Sequence, residues 1–99
     1  MNAALNWRRE QDTLYLQGAL ESNTLLPLWE QRRAVTDKLS IINIKAITRV
    51  DTAGLALLIQ LVADAHRQGG QAVLTGVGHS VKTLAQLYNL PHAIFPLEN

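Results

Sequence analysis

The chain has 99 residues, enough to build one core without staples, a formal net charge of +1 and no cysteine. A charge so near neutral gives no basic field for a nucleic-acid backbone, and two Trp, two Tyr and one Phe leave little to stack on bases. The lack of cysteine excludes a disulfide framework, a thiolate metal site and a cysteine nucleophile, and it suits the cytosol.

The charges are unevenly placed. Of 17 Lys, Arg, Asp and Glu residues, only Asp51, Asp64, Arg67, Lys82 and Glu98 lie from Val50 onward. A charge-poor half points either to a covered surface or simply to where the core-forming elements lie. Met1 to Glu10 carries no apolar run of the signal-peptide kind. The apolar stretch from Leu55 to Ala63 falls well short of the roughly 20 residues a bilayer requires, so direct membrane insertion is not expected. With no linker, repeat or low-complexity segment, residues 1–99 are expected to form a single domain.

Leu5 to Arg8 and Thr13 to Gly18 read as two short strands around a Glu10-Gln11-Asp12 turn, because Leu14 and Leu16 alternate with Tyr15 and Gln17. Ser22-Asn23-Thr24 supplies cap candidates for a helix running to about Lys38, with Pro27 tolerated in its first turn. In that helix the adjacent Leu28 and Trp29 point about 100° apart, so both cannot face one core centre. Trp29 is therefore read either as an interface anchor or as edge packing.

Ile41 to Ile47 is rich in β-branched residues and reads as a buried strand. A helix capped by Thr52 is expected to follow and to end at Gly69-Gly70. Between Ala53 and Ala63 the only side chain that is neither apolar nor absent is Gln60. A surface helix normally keeps a polar face, so this one is expected to be covered on both sides, by the sheet and by a second protein. Ala72 to Gly76 reads as a further strand, and Ser80 as the cap of a last helix to about Asn89, before Pro91. The order strand, strand, helix, strand, helix, strand, helix predicts an α/β fold. Its mixed sheet has about four strands, an opening hairpin followed by parallel crossovers, with about three helices mainly on one face.

Chemistry concentrates at Val50-Asp51-Thr52-Ala53-Gly54-Leu55, where a strand ends and the apolar helix begins. The Thr52 hydroxyl has three readings: a structural cap, a partner contact, or a phosphorylation site at the positive end of a helix dipole, which the neighbouring Asp51 would oppose. Gly54 costs up to about 1 kcal/mol against alanine in a helix. Close approach of either a partner backbone or the chain's own strand end would compensate. Asp51 reads as a turn-forming carboxylate or an ion-pair partner of Arg49, since a small hydrolase built on Asp51 and Thr52 would need a base that the sequence does not place nearby. No catalytic residue is assigned. His66, His79 and His92 lie far apart in the chain and form no HxxxH pair, and no metal or other cofactor is expected. Gly76-Val77-Gly78-His79-Ser80 lacks the third glycine and later acid of a dinucleotide loop.

The segment Val50 to Leu55 is similar to the Asp-Ser/Thr-x-Gly signature of STAS domains. Leu26-Pro27-Leu28-Trp29-Glu30, the segment through Leu57-Leu58, and residues 84–91 further resemble the small STAS subunits of bacterial phospholipid ABC transporters. That resemblance spans nearly the whole chain. It implies a non-catalytic cytoplasmic protein, peripheral to the inner membrane through its partner, that binds and supports the ATPase subunit of a transporter containing a permease. Such a complex moves phospholipids and maintains outer-membrane lipid asymmetry. The implied partner-binding residues are Asp51, Thr52, Ala53, Gly54, Leu55 and Trp29. In the related anti-sigma factor antagonists the residue matching Thr52 is usually a serine phosphorylated by a partner kinase, and a phospho-switched antagonist is the alternative function.

Overall fold

The computed structural model describes residues 4–98. Strands β1 (Leu5–Glu10) and β2 (Thr13–Leu20) form an antiparallel hairpin. Two short helices, α1 (Leu26–Glu30) and α2 (Arg32–Thr36), lead to β3 (Ile41–Val50), which lies parallel to β2. Then come α3 (Thr52–Arg67), β4 (Val73–Thr75), parallel to β3, and α4 (His79–Leu87). The sheet order is β1-β2-β3-β4, so the mixed sheet expected from the element order is formed.

The registers Arg9↔Leu14, Leu14↔Ile42 and Ile42↔Leu74 put these side chains on one face of the sheet, because paired residues point the same way. Leu14, Ile42 and Leu74 in this row are fully buried, as are Leu58 and Leu61 of α3 in the same core cluster. Each such side chain contributes about 1.5–3 kcal/mol by leaving water. Tyr15 and Gln17, which alternate with Leu14 and Leu16, are not buried, and the Arg8 guanidinium stacks 4.2 Å from the Tyr15 ring centroid. Arg9, on the core-facing side, donates from Nη1 to the Val35 carbonyl at 2.9 Å and ties the edge strand to α2.

Both sheet edges are managed differently. At β4 the chain returns through residues 96–98: the Leu74 amide donates to the Pro96 carbonyl at 2.8 Å and the Glu98 amide to the Leu74 carbonyl at 2.9 Å. At β1, Arg8, Arg9 and Glu10 place charge on the outer strand, which disfavours pairing with a foreign strand.

Several element boundaries differ from the sequence expectation. The hairpin turn narrows to Gln11-Asp12, with Gln11 at φ 54°, and β2 runs two residues and β3 three residues beyond the ends expected from sequence. The single helix expected to about Lys38 is broken at Gln31 into α1 and α2, and Ser22-Asn23-Thr24 does not cap it. The Thr24 hydroxyl instead donates to the Ala19 carbonyl and accepts from the Glu21 amide, closing a turn upstream of the helix. Ser80 does not cap α4 either, since Gly78 holds the cap position and the helix starts at His79. The Gly69-Gly70 terminator is formed as expected: Gly69 has φ +86° and the Gly70 amide donates to the Ala65 carbonyl at 2.8 Å.

Gly54 answers one of the sequence questions. It is buried, and a Cβ built there would overlap the carbonyl oxygen of Leu20, so the close approach comes from the chain's own β2 end. Gly54→Ala is expected to lower stability by about 1–3 kcal/mol despite the better helix propensity of alanine, because the overlap is with backbone. Urea unfolding at neutral pH measures this, and an unchanged or raised midpoint would contradict the packing argument.

Candidate functional site

Three chain segments meet where β2 and β3 end and α3 begins. The Asp51 amide donates to the Leu20 carbonyl at 3.2 Å, completing the parallel ladder. The Asp51 carboxylate then bridges two backbones: Oδ1 accepts from the Gly54 amide at 2.8 Å and Oδ2 from the Ser22 amide at 2.9 Å. Asp51, extended at φ −114° and ψ −174°, is thus the N-cap of α3. The expectation that Thr52 caps the helix is corrected. Both residue types cap well, and the Ser22 amide arriving from the other crossover is what favours the carboxylate one position earlier.

The ion pair considered between Asp51 and Arg49 is also absent, since Arg49 Nη2 lies 3.3 Å from Glu21 Oε2 and clamps the same loop from outside. Burial pushes the Asp51 carboxyl up, but amide hydrogen bonds from Gly54, Ser22 and Ala53 outweigh it and hold the group below its ordinary value.

Thr52 occupies the first helical position and is exposed, its hydroxyl outside the capping bonds. Ala53 is half-buried, and Ala56, one turn on, is exposed. Gly54 and Leu55 are buried and shape this surface from beneath. The helix is less bare than its composition suggests. Its buried side packs on the sheet and α2, and what remains open at the first two turns is a low strip of Thr52, Ala53 and Ala56.

Trp29 is 39% exposed while its neighbour Leu28 is fully buried. The Arg32 guanidinium stacks 3.8 Å from the Trp29 ring centroid, and Arg32 Nε lies 3.6 Å from Asp64 Oδ2. Asp64 is buried on α3, and its Oδ1 accepts from Arg67 and, at 3.0 Å, from Gln60 Nε2. Trp29 is therefore linked to α3 through Arg32 and Asp64. The sequence reading missed the Ser22 and Glu21 contacts, for which the only signal is the polar run 21–24, and the Asp64 clasp, for which it is a lone acid on an apolar helix.

Between the ends of β3 and β4 and the start of α4 lies a small cleft of about 140 Å³. Gly76, at φ +67°, turns the chain there against Lys45. Among the described residues no three His, Cys, Asp or Glu side chains group closely enough to hold a metal ion.

A family model described as an MlaB STAS domain matches residues 3–97. The chain belongs to the MlaB-type STAS domain family. The intermembrane phospholipid transport system binding protein MlaB of Escherichia coli is 45% identical over 96 residues, covering 97% of this chain and 99% of that protein. The protein of the same name from Haemophilus influenzae is 30% identical, covering 87% and 91%. Among solved structures, the Bacillus cell-fate determinant SpoIIAA in its phosphorylated form has a TM-score of 0.66 at 11% identity, covering 96% of this chain and 91% of that one. The unphosphorylated anti-sigma factor antagonist SpoIIAA gives 0.60 at 14% identity, covering 96% and 87%. At these identities the likeness carries the STAS fold alone. In this STAS domain no helix among the described residues is long and apolar enough to cross a membrane.

Asp51→Ala should cost about 0.5–2 kcal/mol at neutral pH and release the Ser22 loop together with the helix start. Because the folded carboxyl titrates below its unfolded value of about 3.9, its contribution is complete above that pH and is lost as the pH falls through the folded value. Unfolding curves of the parent and Asp51→Asn should therefore differ by a constant amount from pH 5 to 7 and converge only under more acid conditions. A gap that closes between pH 6 and 8 would contradict the assignment.

Proposed function

We propose that this chain is a non-catalytic subunit that docks on the ATPase of an ABC transporter moving phospholipids, a complex that maintains outer-membrane lipid asymmetry. The observation that carries the reading is the exposed first turn of α3. Asp51 takes over all the capping work and leaves Thr52, Ala53 and Ala56 as a low, uncharged surface that another backbone can approach closely. Membership of a family whose Escherichia coli and Haemophilus influenzae relatives are named as binding proteins of a phospholipid transport system supports the choice of partner. Trp29, exposed and held by Arg32, supplies a second, larger contact.

The bonding of Asp51 supports a non-catalytic reading. The carboxylate next to Thr52 is committed to two backbone amides, which leaves it poorly placed to take a proton from that hydroxyl. In the proposed mechanism docking favours the nucleotide-competent arrangement of the ATPase, since a partner shifts an equilibrium only by binding one state better. The protein then sits in the cytoplasm, held at the inner membrane through the ATPase and its permease.

A phospho-switched antagonist would use the same exposed hydroxyl. The adjacent ionised Asp51 disfavours it, because a phosphate on Thr52 would stand beside a carboxylate that already occupies the Gly54 amide.

Thr52 lies outside the fold's hydrogen-bond network, so its variants separate docking from folding. Thr52→Ala should leave the melting temperature nearly unchanged and weaken co-purification of the ATPase. Thr52→Glu should also fold, a carboxylate in the first helical turn being tolerated, yet should lose the partner through a charge buried without a counter-ion. The measurement is affinity capture of the tagged chain from gently solubilised membranes, with mass spectrometry of what accompanies it. Full ATPase recovery by Thr52→Glu, or capture of a serine kinase in its place, would overturn the proposal.

A further inference from the structure

A groove of about 640 Å³ runs between the outer side of α3 and the returning C-terminal segment, on the half of the helix away from Thr52. Its volume lies within the ordinary range of small-molecule sites. The floor is apolar, with Val62 and Ala72 buried and Ile59 and Val73 half-buried, and Ile94 stands at the lip 47% exposed. About half of the Ile94 surface is left open by the described residues, and the cost of leaving so large an aliphatic side chain in water falls if an alkyl chain lies against it.

The mouth has the opposite chemistry. His66, Arg67 and His92 are all exposed and all line the groove, so two histidines 26 positions apart in sequence are brought to one opening. No carboxylate is among the lining residues. The one formal cation, Arg67, is shared with Asp64 on its other side. The mouth thus offers hydrogen-bond donors and a modest positive field, suited to a compact monoanion and poorly matched to a doubly charged head.

We propose that this groove binds a single-chain carboxylate amphiphile, with the alkyl chain along Ile59, Val62, Val73 and Ile94 and the carboxylate between His66, His92 and Arg67. The site is separate from the Thr52 surface and does not rest on the docking proposed there. Occupation would tie α3 to the C-terminal segment that closes the β4 edge, since the groove is walled by both.

The test is a methyl NMR titration of the purified full chain with decanoate below its micellar range, with decanol as the uncharged control. Saturable shifts are expected at the methyls of Ile59, Val62 and Ile94. The double variant His66→Ala, His92→Ala should bind decanoate about tenfold more weakly and decanol unchanged, as expected for lost hydrogen bonds to a charged group. Ala93→Trp, a substitution at an exposed lining position, should fill the mouth and abolish both while leaving the spectrum of a folded chain. No saturable shift, shifts centred on Leu87 and Leu90 instead, or unaltered decanoate binding by either variant would overturn the proposal.

Discussion

The rest of the site depends on one carboxylate being shared between two backbones. Asp51 accepts from the first turn of α3 with one oxygen and from the loop after β2 with the other, while its own amide completes the ladder to Leu20. A hydroxyl could satisfy the helix but could not also span to Ser22 in the same way, because it offers a single oxygen. The carboxylate therefore fixes where α3 starts and at what distance the β2 loop lies from it. Gly54 is the steric counterpart, since the helix can approach Leu20 that closely only if the residue facing the carbonyl has no side chain. Thr52 owes its exposed position to both: it is carried outward by a turn whose inner side is already committed.

This arrangement separates, at adjacent positions, the residues that hold the turn from those left open on its surface. Asp51 and Gly54 hold the turn, and Leu55 seats it in the core. Thr52, Ala53 and Ala56 are left with little structural duty and little relief, which suits a surface recognised by shape as much as by charge. A motif read from sequence as one unit is thus two interleaved sets of residues with different physical roles.

Much of the fold was legible because its signals are local. The alternation of Leu14 and Leu16, the β-branched run from Ile41, the apolar helix and the Gly69-Gly70 stop each act over a few residues, and each element appears where they place it. Some of the failures turn on partners remote in sequence. Thr52 lost the cap to Asp51 because of an amide 29 positions away. The break at Gln31 carries no breaker residue, glutamine being a good helix former, and is set by how α1 and α2 lie on the fold. The convergence of His66 and His92 depends on the C-terminal segment folding back over α3, which no spacing rule contains. The STAS signature marks the turn from β3 into α3, but not which of its residues face outward.

The division of the first helix into two five-residue pieces has a thermodynamic corollary. Helices this short do not persist alone in water, so the order of this segment is borrowed from what it lies against. Much of that support is polar: the Arg32 contact to Asp64, and the Gln68 amide donating to the Thr36 hydroxyl and the Arg33 carbonyl. Trp29 is consequently displayed on a segment whose order depends on its neighbours. A protein that grips the indole would damp those fluctuations as well as gain buried area, and part of the binding free energy would be spent on ordering, leaving an affinity sensitive to temperature and to residues that the partner never touches.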